Sequence, residues 1–262
     1  MNKKLLSILV LILIFVLLLG CQQQEQTQPQ DDNQEQNVQN TTGYTNGTYI
    51  SYSNATDNGY AYARVNIEDN NISDVEIWEI TSKGNKKDYD TYKYEPSVKA
   101  QEKMTNRFEE ANSADVDVYS GATDSSNKFI EAVSNALKMA SGDTEGKYFN
   151  GKFQGSSEDA SQYGYAVALI TIENDDITAA ELKEVTTGGD FRDFAQYDHG
   201  PSVNANKKMA ERFVENDTAD VDTYTGATQS SKKYIDAVKD ALLHASTSTD
   251  NLRERKQDID DN

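Results

Sequence analysis

The sequence has 262 residues, with 44 acidic against 25 basic side chains and a net charge of −19. Such a chain repels DNA, RNA and anionic lipid headgroups, which excludes nucleic-acid binding. Its single cysteine, Cys21, excludes a disulfide framework, a CxxC redox pair, a cysteine-held iron–sulfur cluster and a CxxCH haem site.

In chain order, Lys3 and Lys4 precede residues 5–19, which are apolar except for Ser7. About 20 apolar residues are needed to span a bilayer as a helix. This shorter run reads as the h-region of a signal peptide covering residues 1–20. The segment Leu17-Leu18-Leu19-Gly20-Cys21 resembles the lipobox of bacterial lipoproteins. The resemblance implies that Cys21 is lipidated, as by palmitate, and becomes the mature N-terminus. It also implies a membrane anchor on the extracellular face of the cell membrane. One acyl chain binds marginally, whereas two or three hold firmly. Residues 22–42, nine of them Gln, cannot form a core and read as a flexible polar tether. Fully extended, that tether reaches about 70 Å.

An internal duplication follows at an offset of 105 residues. Residues 115–137, DVDVYSGATDSSNKFIEAVSNAL, match residues 220–242, DVDTYTGATQSSKKYIDAVKDAL, at 15 of 23 positions. Two domains result, over residues 43–140 and 145–246, with a polar tail at 247–262. A short polar linker at residues 140–144 suggests two beads on a string. A monomer is expected.

Each copy opens with a strand-like segment, near residues 48–53 or 152–155. Strict alternation then places Ala61, Ala63, Val65 and Ile67 on one strand face, and Ala166, Ala168, Ile170 and Ile172 in the second copy. An Asn/Asp-rich turn and a strand over 72–80 or 177–185 complete an antiparallel hairpin. Two amphipathic helices follow. The first begins after Pro96-Ser97 or Pro201-Ser202 with Ser as N-cap, and presents Val98, Gln101, Met104, Phe108 and Ala111. The second starts at Ser125-Ser126 or Ser230-Ser231 and presents Phe129, Ile130, Val133, Ala136 and Leu137. The expected fold is α+β: two tandem copies of a small domain, each an antiparallel sheet packed by two main helices.

Between the helices lie Ser120-Gly121-Ala122-Thr123 and Thr225-Gly226-Ala227-Thr228. A glycine turn leading into a helix N-terminus offers free N–H groups and a positive helix end to an anion, typically a phosphate. Thr123 and Thr228 are placed to ligate that phosphate or to carry a phosphoester. The blander role of the same residues is a capping turn. No His/Cys/Asp/Glu spacing in the sequence suggests a metal site, and neither His199 nor His244 has a ligand-spaced partner. Trp78, opposite Lys183 in the second copy, reads as local packing.

The segments running from Asp117 to Ser125 and from Asp222 to Ser230 resemble the covalent flavin-attachment motif of the FMN-binding domain family, roughly Asp-x-x-Ser/Thr-Gly-Ala-Thr-x-Ser/Thr. That resemblance implies two FMN groups, joined by phosphoester bonds to Thr123 and Thr228. It also implies a separate flavin transferase with FAD as donor and a need for magnesium. No His lies near either motif to activate the hydroxyl, so an outside enzyme is expected. Asp117 and Asp222 would orient the hydroxyl or be read by the transferase. Tyr119 and Tyr224 would stack on the flavin or fill the core. With its lipoprotein leader, the chain resembles flavinylated lipoproteins of Gram-positive extracellular electron transfer. On that reading it passes electrons from a membrane dehydrogenase and quinone pool to outside acceptors such as ferric iron. It would then be a component of electron transport more than a stand-alone enzyme. The alternative is a non-redox surface binding or adhesion lipoprotein whose Gly-Ala-Thr turns are structural caps.

Overall fold

A computed structural model describes residues 43–158 and 162–249. The signal region, Cys21, the tether and residues 250–262 lie outside the described residues.

In the first copy, strands β1 (Gly47–Tyr52), β2 (Tyr60–Glu68) and β3 (Asn71–Ile80) form an antiparallel sheet in that order. Helices α1 (Glu95–Ala111) and α2 (Thr123–Ser141) follow. The second copy repeats the plan with β4 (Gly151–Ser156), β5 (Tyr165–Glu173), β6 (Asp176–Val185), α3 (Gly200–Asn216) and α4 (Thr228–Ala245). The expected α+β fold of two tandem copies is the one observed.

The central hairpins are tight because Asp69, Asn70, Asn174 and Asp175 all take positive φ. Two such residues in succession match the twist of the flanking strands. Ala61, Ala63, Val65 and Ile67 are at most 2% exposed and face both helices of their copy. Ala166, Ala168, Ile170 and Ile172 do the same in the second core.

The helix faces differ in part from the sequence pattern. α1 starts at Glu95 with Tyr94 as N-cap and no capping side chain. Ser97 is therefore an interior residue, buried with Ala100, Met104 and Phe108, while Ala111 is exposed. Gln101 leaves the apolar stripe because its Nε2 donates to the edge-strand carbonyl of Ile77 at 2.7 Å. Likewise α2 and α4 begin at Thr123 and Thr228, two residues before the serine pairs. Those serines are buried in the first turn.

The copies are not beads on a string. Tyr52, Tyr62 and Trp78 form a row across the outer face of the first sheet and are buried. Trp78 stacks on Tyr62 at 4.4 Å, and Leu169 of the second copy packs on this cluster. His244, at the end of α4, stacks on Tyr52 at 3.8 Å. Around them, Ala55 N–H donates to the Lys152 carbonyl at 2.8 Å and Gln154 Nε2 to the Thr81 carbonyl at 3.1 Å. At the matching places on the second sheet stand Ser156, Val167 and Lys183. The aromatic row thus lies on a face of the first sheet that meets the other copy. Ser246, the last residue assigned to the second domain, bridges to Tyr148.

Candidate functional site

Each Gly-Ala-Thr turn is built by a small, repeated set of contacts. Gly121 and Gly226 have φ of +82°, where an L side chain is strained. A Cβ on Gly121 would also meet Pro96 at 3.3 Å, and one on Gly226 would meet Pro201 at 3.2 Å. Ser126 Oγ accepts the Tyr119 N–H at 3.0 Å and donates to the Ala122 carbonyl at 2.8 Å. Ser231 repeats both bonds with Tyr224 and Ala227, each at 2.9 Å. These serines brace the turn, so no side chain caps the helix that follows. The first N–H groups of α2 and α4 stay open toward an incoming anion.

Thr123 and Thr228 are exposed at this end, as are Ser120, Gly121, Thr225 and Gly226; Ala122 and Ala227 are buried beneath. Thr123 lines a cleft of about 680 Å³ together with Gly121, Ala122, Tyr92, Tyr94 and Lys86. The far wall comes from the loop after β3. Thr81 N–H donates to the Asn85 carbonyl and Lys87 N–H to the Glu79 carbonyl, both at 2.8 Å, folding that loop back over the strand end. Tyr94 ties the loop to the turn by donating its hydroxyl to the Gly121 carbonyl at 2.7 Å.

On the cleft floor lies Glu79, which sequence reasoning passed over. It is 4% exposed and is bonded by Lys128, by Lys87 at 2.7 Å, by Ser125 Oγ at 3.1 Å and by Tyr89 OH at 3.2 Å. Burial would raise its pKa, but the hydrogen bonds and charges of Lys128 and Lys87 outweigh that and hold it below the usual carboxylate range. In the second copy Glu184 is likewise buried and likewise held low. Burial is outweighed there by Lys233, Ser230, Arg192 and Tyr234. Burial beside the carboxylates also pushes the Tyr89 and Tyr234 hydroxyls well above the ordinary tyrosine range. One signal could have revealed these residues: Glu79/Glu184 and Lys128/Lys233 are identical across the duplication. A charged residue ending a half-buried strand is otherwise hard to tell from a solvated one.

Other predicted residues sit apart from the cleft. Tyr119 and Tyr224 pack at the edges of their cores, with Arg107 and Arg212 about 6 Å from their ring centres. Asp117 and Asp222 are exposed, and their backbone carbonyls accept from the same arginines. The aromatic rings that do line the cleft beside Thr123 are Tyr92 and Tyr94. Lys87 lies 3.8 Å from the Tyr92 ring centre, and Arg192 lies 4.3 Å from that of Tyr197 at the matching place. Tyr94 is replaced by His199, whose Nδ1 is 2.8 Å from Ser202 Oγ. Among the described residues, no three His, Cys, Asp or Glu side chains are grouped to hold a metal ion.

The family model of the FMN-binding domain matches residues 58–138 and 163–243, one match on each copy. The protein belongs to that family and carries two FMN-binding domains. The crystal structure of the CPE2226 protein from Clostridium perfringens is 27% identical to it, over 39% of this chain and 93% of that one, with a TM-score of 0.33. No curated protein matches the chain.

The residues fit FMN. The open helix end and the hydroxyl of Thr123 or Thr228 suit its phosphate. In the first copy, a tyrosine-walled cleft within the usual size range of small-molecule sites suits its ring system. When bound, FMN supplies the redox chemistry, while the protein binds and orients it.

Proposed function

We propose that the protein is a membrane-tethered extracellular electron carrier with two covalent FMN groups, one esterified to Thr123 and one to Thr228. The observation that carries this reading is the repeated placement of an exposed threonine on an uncapped helix end above a strained glycine. A structural cap would turn a side chain onto the open N–H groups, and neither copy does so. The two hydroxyls are reachable by a large partner, in keeping with attachment by a flavin transferase that uses FAD and magnesium. Lys128 and Lys87 neutralise Glu79 beneath the turn, so the buried carboxylate does not oppose a phosphate above it.

Cys21 would fix the chain to the outer membrane surface and residues 22–42 would hold the domains away from it. Electrons would arrive from a membrane dehydrogenase and its quinone pool and leave to ferric iron or another outside acceptor. Such a tether raises the effective concentration of the domains near a membrane donor.

The test is intact mass after co-expression with an active flavin transferase. The mature protein should gain two FMN moieties that survive denaturation. Thr123→Ala and Thr228→Ala should each remove one, and the double variant both. An unchanged mass, with the transferase active on another substrate, would overturn covalent attachment.

A further inference from the structure

The loop that joins each sheet to its first helix has diverged between the copies, except at a few places. Between residues 82–94 and 187–199 only three pairs are identical: Gly84 and Gly189, Asp88 and Asp193, Tyr92 and Tyr197. A fourth pair, Lys87 and Arg192, keeps its charge. Two of these pairs shape the loop. Gly84 and Gly189 have φ of +83° and +80°, the region that favours glycine. Asp88 accepts the Asp90 N–H at 3.0 Å and the Thr91 hydroxyl at 2.7 Å, and Asp193 accepts the Ala195 N–H at 2.9 Å and the Gln196 side-chain amide at 2.8 Å. An aspartate bonded to the chain two residues on makes a tight local turn.

That turn lays the tyrosine on the cation. Lys87 Nζ lies 3.8 Å from the Tyr92 ring centre and donates to Glu79 at 2.7 Å. The Arg192 guanidinium lies 4.3 Å from the Tyr197 ring centre, and its Nε donates to Glu184 at 2.8 Å. Both cations are largely shielded, with side chains 14% and 16% exposed. A desolvated cation holds an aromatic face more strongly than one in water. Each copy therefore builds the same column, a buried carboxylate, a cation and a tyrosine ring. Neither tyrosine belongs to a hydrophobic core cluster. Tyr92 is 43% exposed and lines the cleft with Thr123. Tyr94, the other ring there, is not kept, since His199 stands in its place.

We propose that Tyr92 and Tyr197 are the rings on which the isoalloxazine of each flavin stacks, and that Lys87 and Arg192, tied to Glu79 and Glu184, are positioning residues that hold those rings in place. The assignment rests on the flavin attachment proposed above. A flavin held only by its phosphate end would swing about that bond. A ring fixed from behind offers it a flat face at one place, and aromatic rings stack favourably when offset. The ordering of the tyrosine is supplied in advance by the cation and the Asx turn, so less freedom is lost when the flavin ring arrives.

Flavin fluorescence of the transferase-loaded mature chain tests this, with intact mass confirming one FMN in each sample. Thr228→Ala isolates the first site and Thr123→Ala the second. A flavin stacked on tyrosine or tryptophan is dark, so emission reports the open fraction. Tyr92→Leu in the first background and Tyr197→Leu in the second should each lower the stacked-to-open ratio about fivefold. Tyr92→Trp should keep the emission low. Lys87→Gln should brighten the flavin, whereas Lys87→Arg, which installs the cation of the second copy, should not. A lysine with only a structural role would move the urea midpoint and leave the emission alone. Unchanged emission in Tyr92→Leu and Tyr197→Leu, with the flavin mass present, would overturn the assignment. So would brightening by Tyr94→Leu in place of Tyr92→Leu. Absence of the flavin mass would overturn the attachment itself and this assignment with it, so the two failures are told apart.

Discussion

Gly121 shows how much one residue decides. Its φ of +82° and the Pro96 contact leave no room for a Cβ without strain. Gly121→Ala should cost roughly 1–3 kcal/mol, read as a lower urea midpoint, with loss of flavin loading at Thr123 but not at Thr228. Glu79 matters in another way. Truncating one partner of a buried ion pair leaves an uncompensated charge and costs roughly 3–5 kcal/mol. Lys128→Ala should therefore destabilise the first copy on that scale in chemical unfolding. The folded pKa values of Glu79 and Glu184 lie below their ordinary 4.5. Their stabilisation is therefore complete above pH 4.5, and it is lost as pH falls through the lower folded values. Urea midpoints measured across that range should drop with acid in the wild type. They should change less steeply in the Glu79→Gln/Glu184→Gln variant.

At the scale of elements, the helix ends are tied to the sheet by their caps. Asn112 and Asp217 end α1 and α3 in the left-handed region and also accept an edge-strand N–H at 2.7 Å. Asn112→Ala should cost about 1–2 kcal/mol, because it adds strain at φ of 49° to a lost hydrogen bond. Thermal or urea unfolding measures it, and Asp217→Ala should behave alike. These elements were legible in the sequence to different degrees. The strand face from Ala61 to Ile67 was plain, because period-two alternation reports burial on one side. The face of α1 was not. Ser97 is buried because its hydroxyl lies 3.3 Å from that of Ser125, and Gln101 is turned to the sheet edge. Both are polar residues whose partners are remote in sequence.

On the scale of the whole molecule, the seam between the copies makes them one body. Tyr52 lies between Tyr62 of its own sheet and His244 of the other copy. Calorimetry should find one cooperative transition for the pair. Tyr52→Ala removes an aromatic ring from this contact and should cost roughly 3–5 kcal/mol, splitting the transition in two. The loop after β3, which borders the first Gly-Ala-Thr site, also meets the second copy across the seam. Asn85 Nδ2 donates to Tyr165 OH at 3.1 Å, and Tyr165 OH donates to the Lys83 carbonyl at 2.7 Å. The relation between the sites is thus set by docking, not by the length of the linker.

Read alone, the sequence was enough for the duplication, the strand periodicity and the glycine turn before Thr123 and Thr228. Each is a local pattern, written in residues close together along the chain. It also carried the family resemblance that the match to both copies then established. Only the tertiary structure decided that Glu79 is a buried ion-paired floor, that Tyr92 and Tyr94 rather than Tyr119 line the cleft, and that Trp78 belongs to a seam between copies. Those facts depend on which distant segments come together when the apolar surface is buried. A carboxylate or an aromatic ring looks the same in sequence whether it meets water, a lysine 49 residues away or the other half of the molecule.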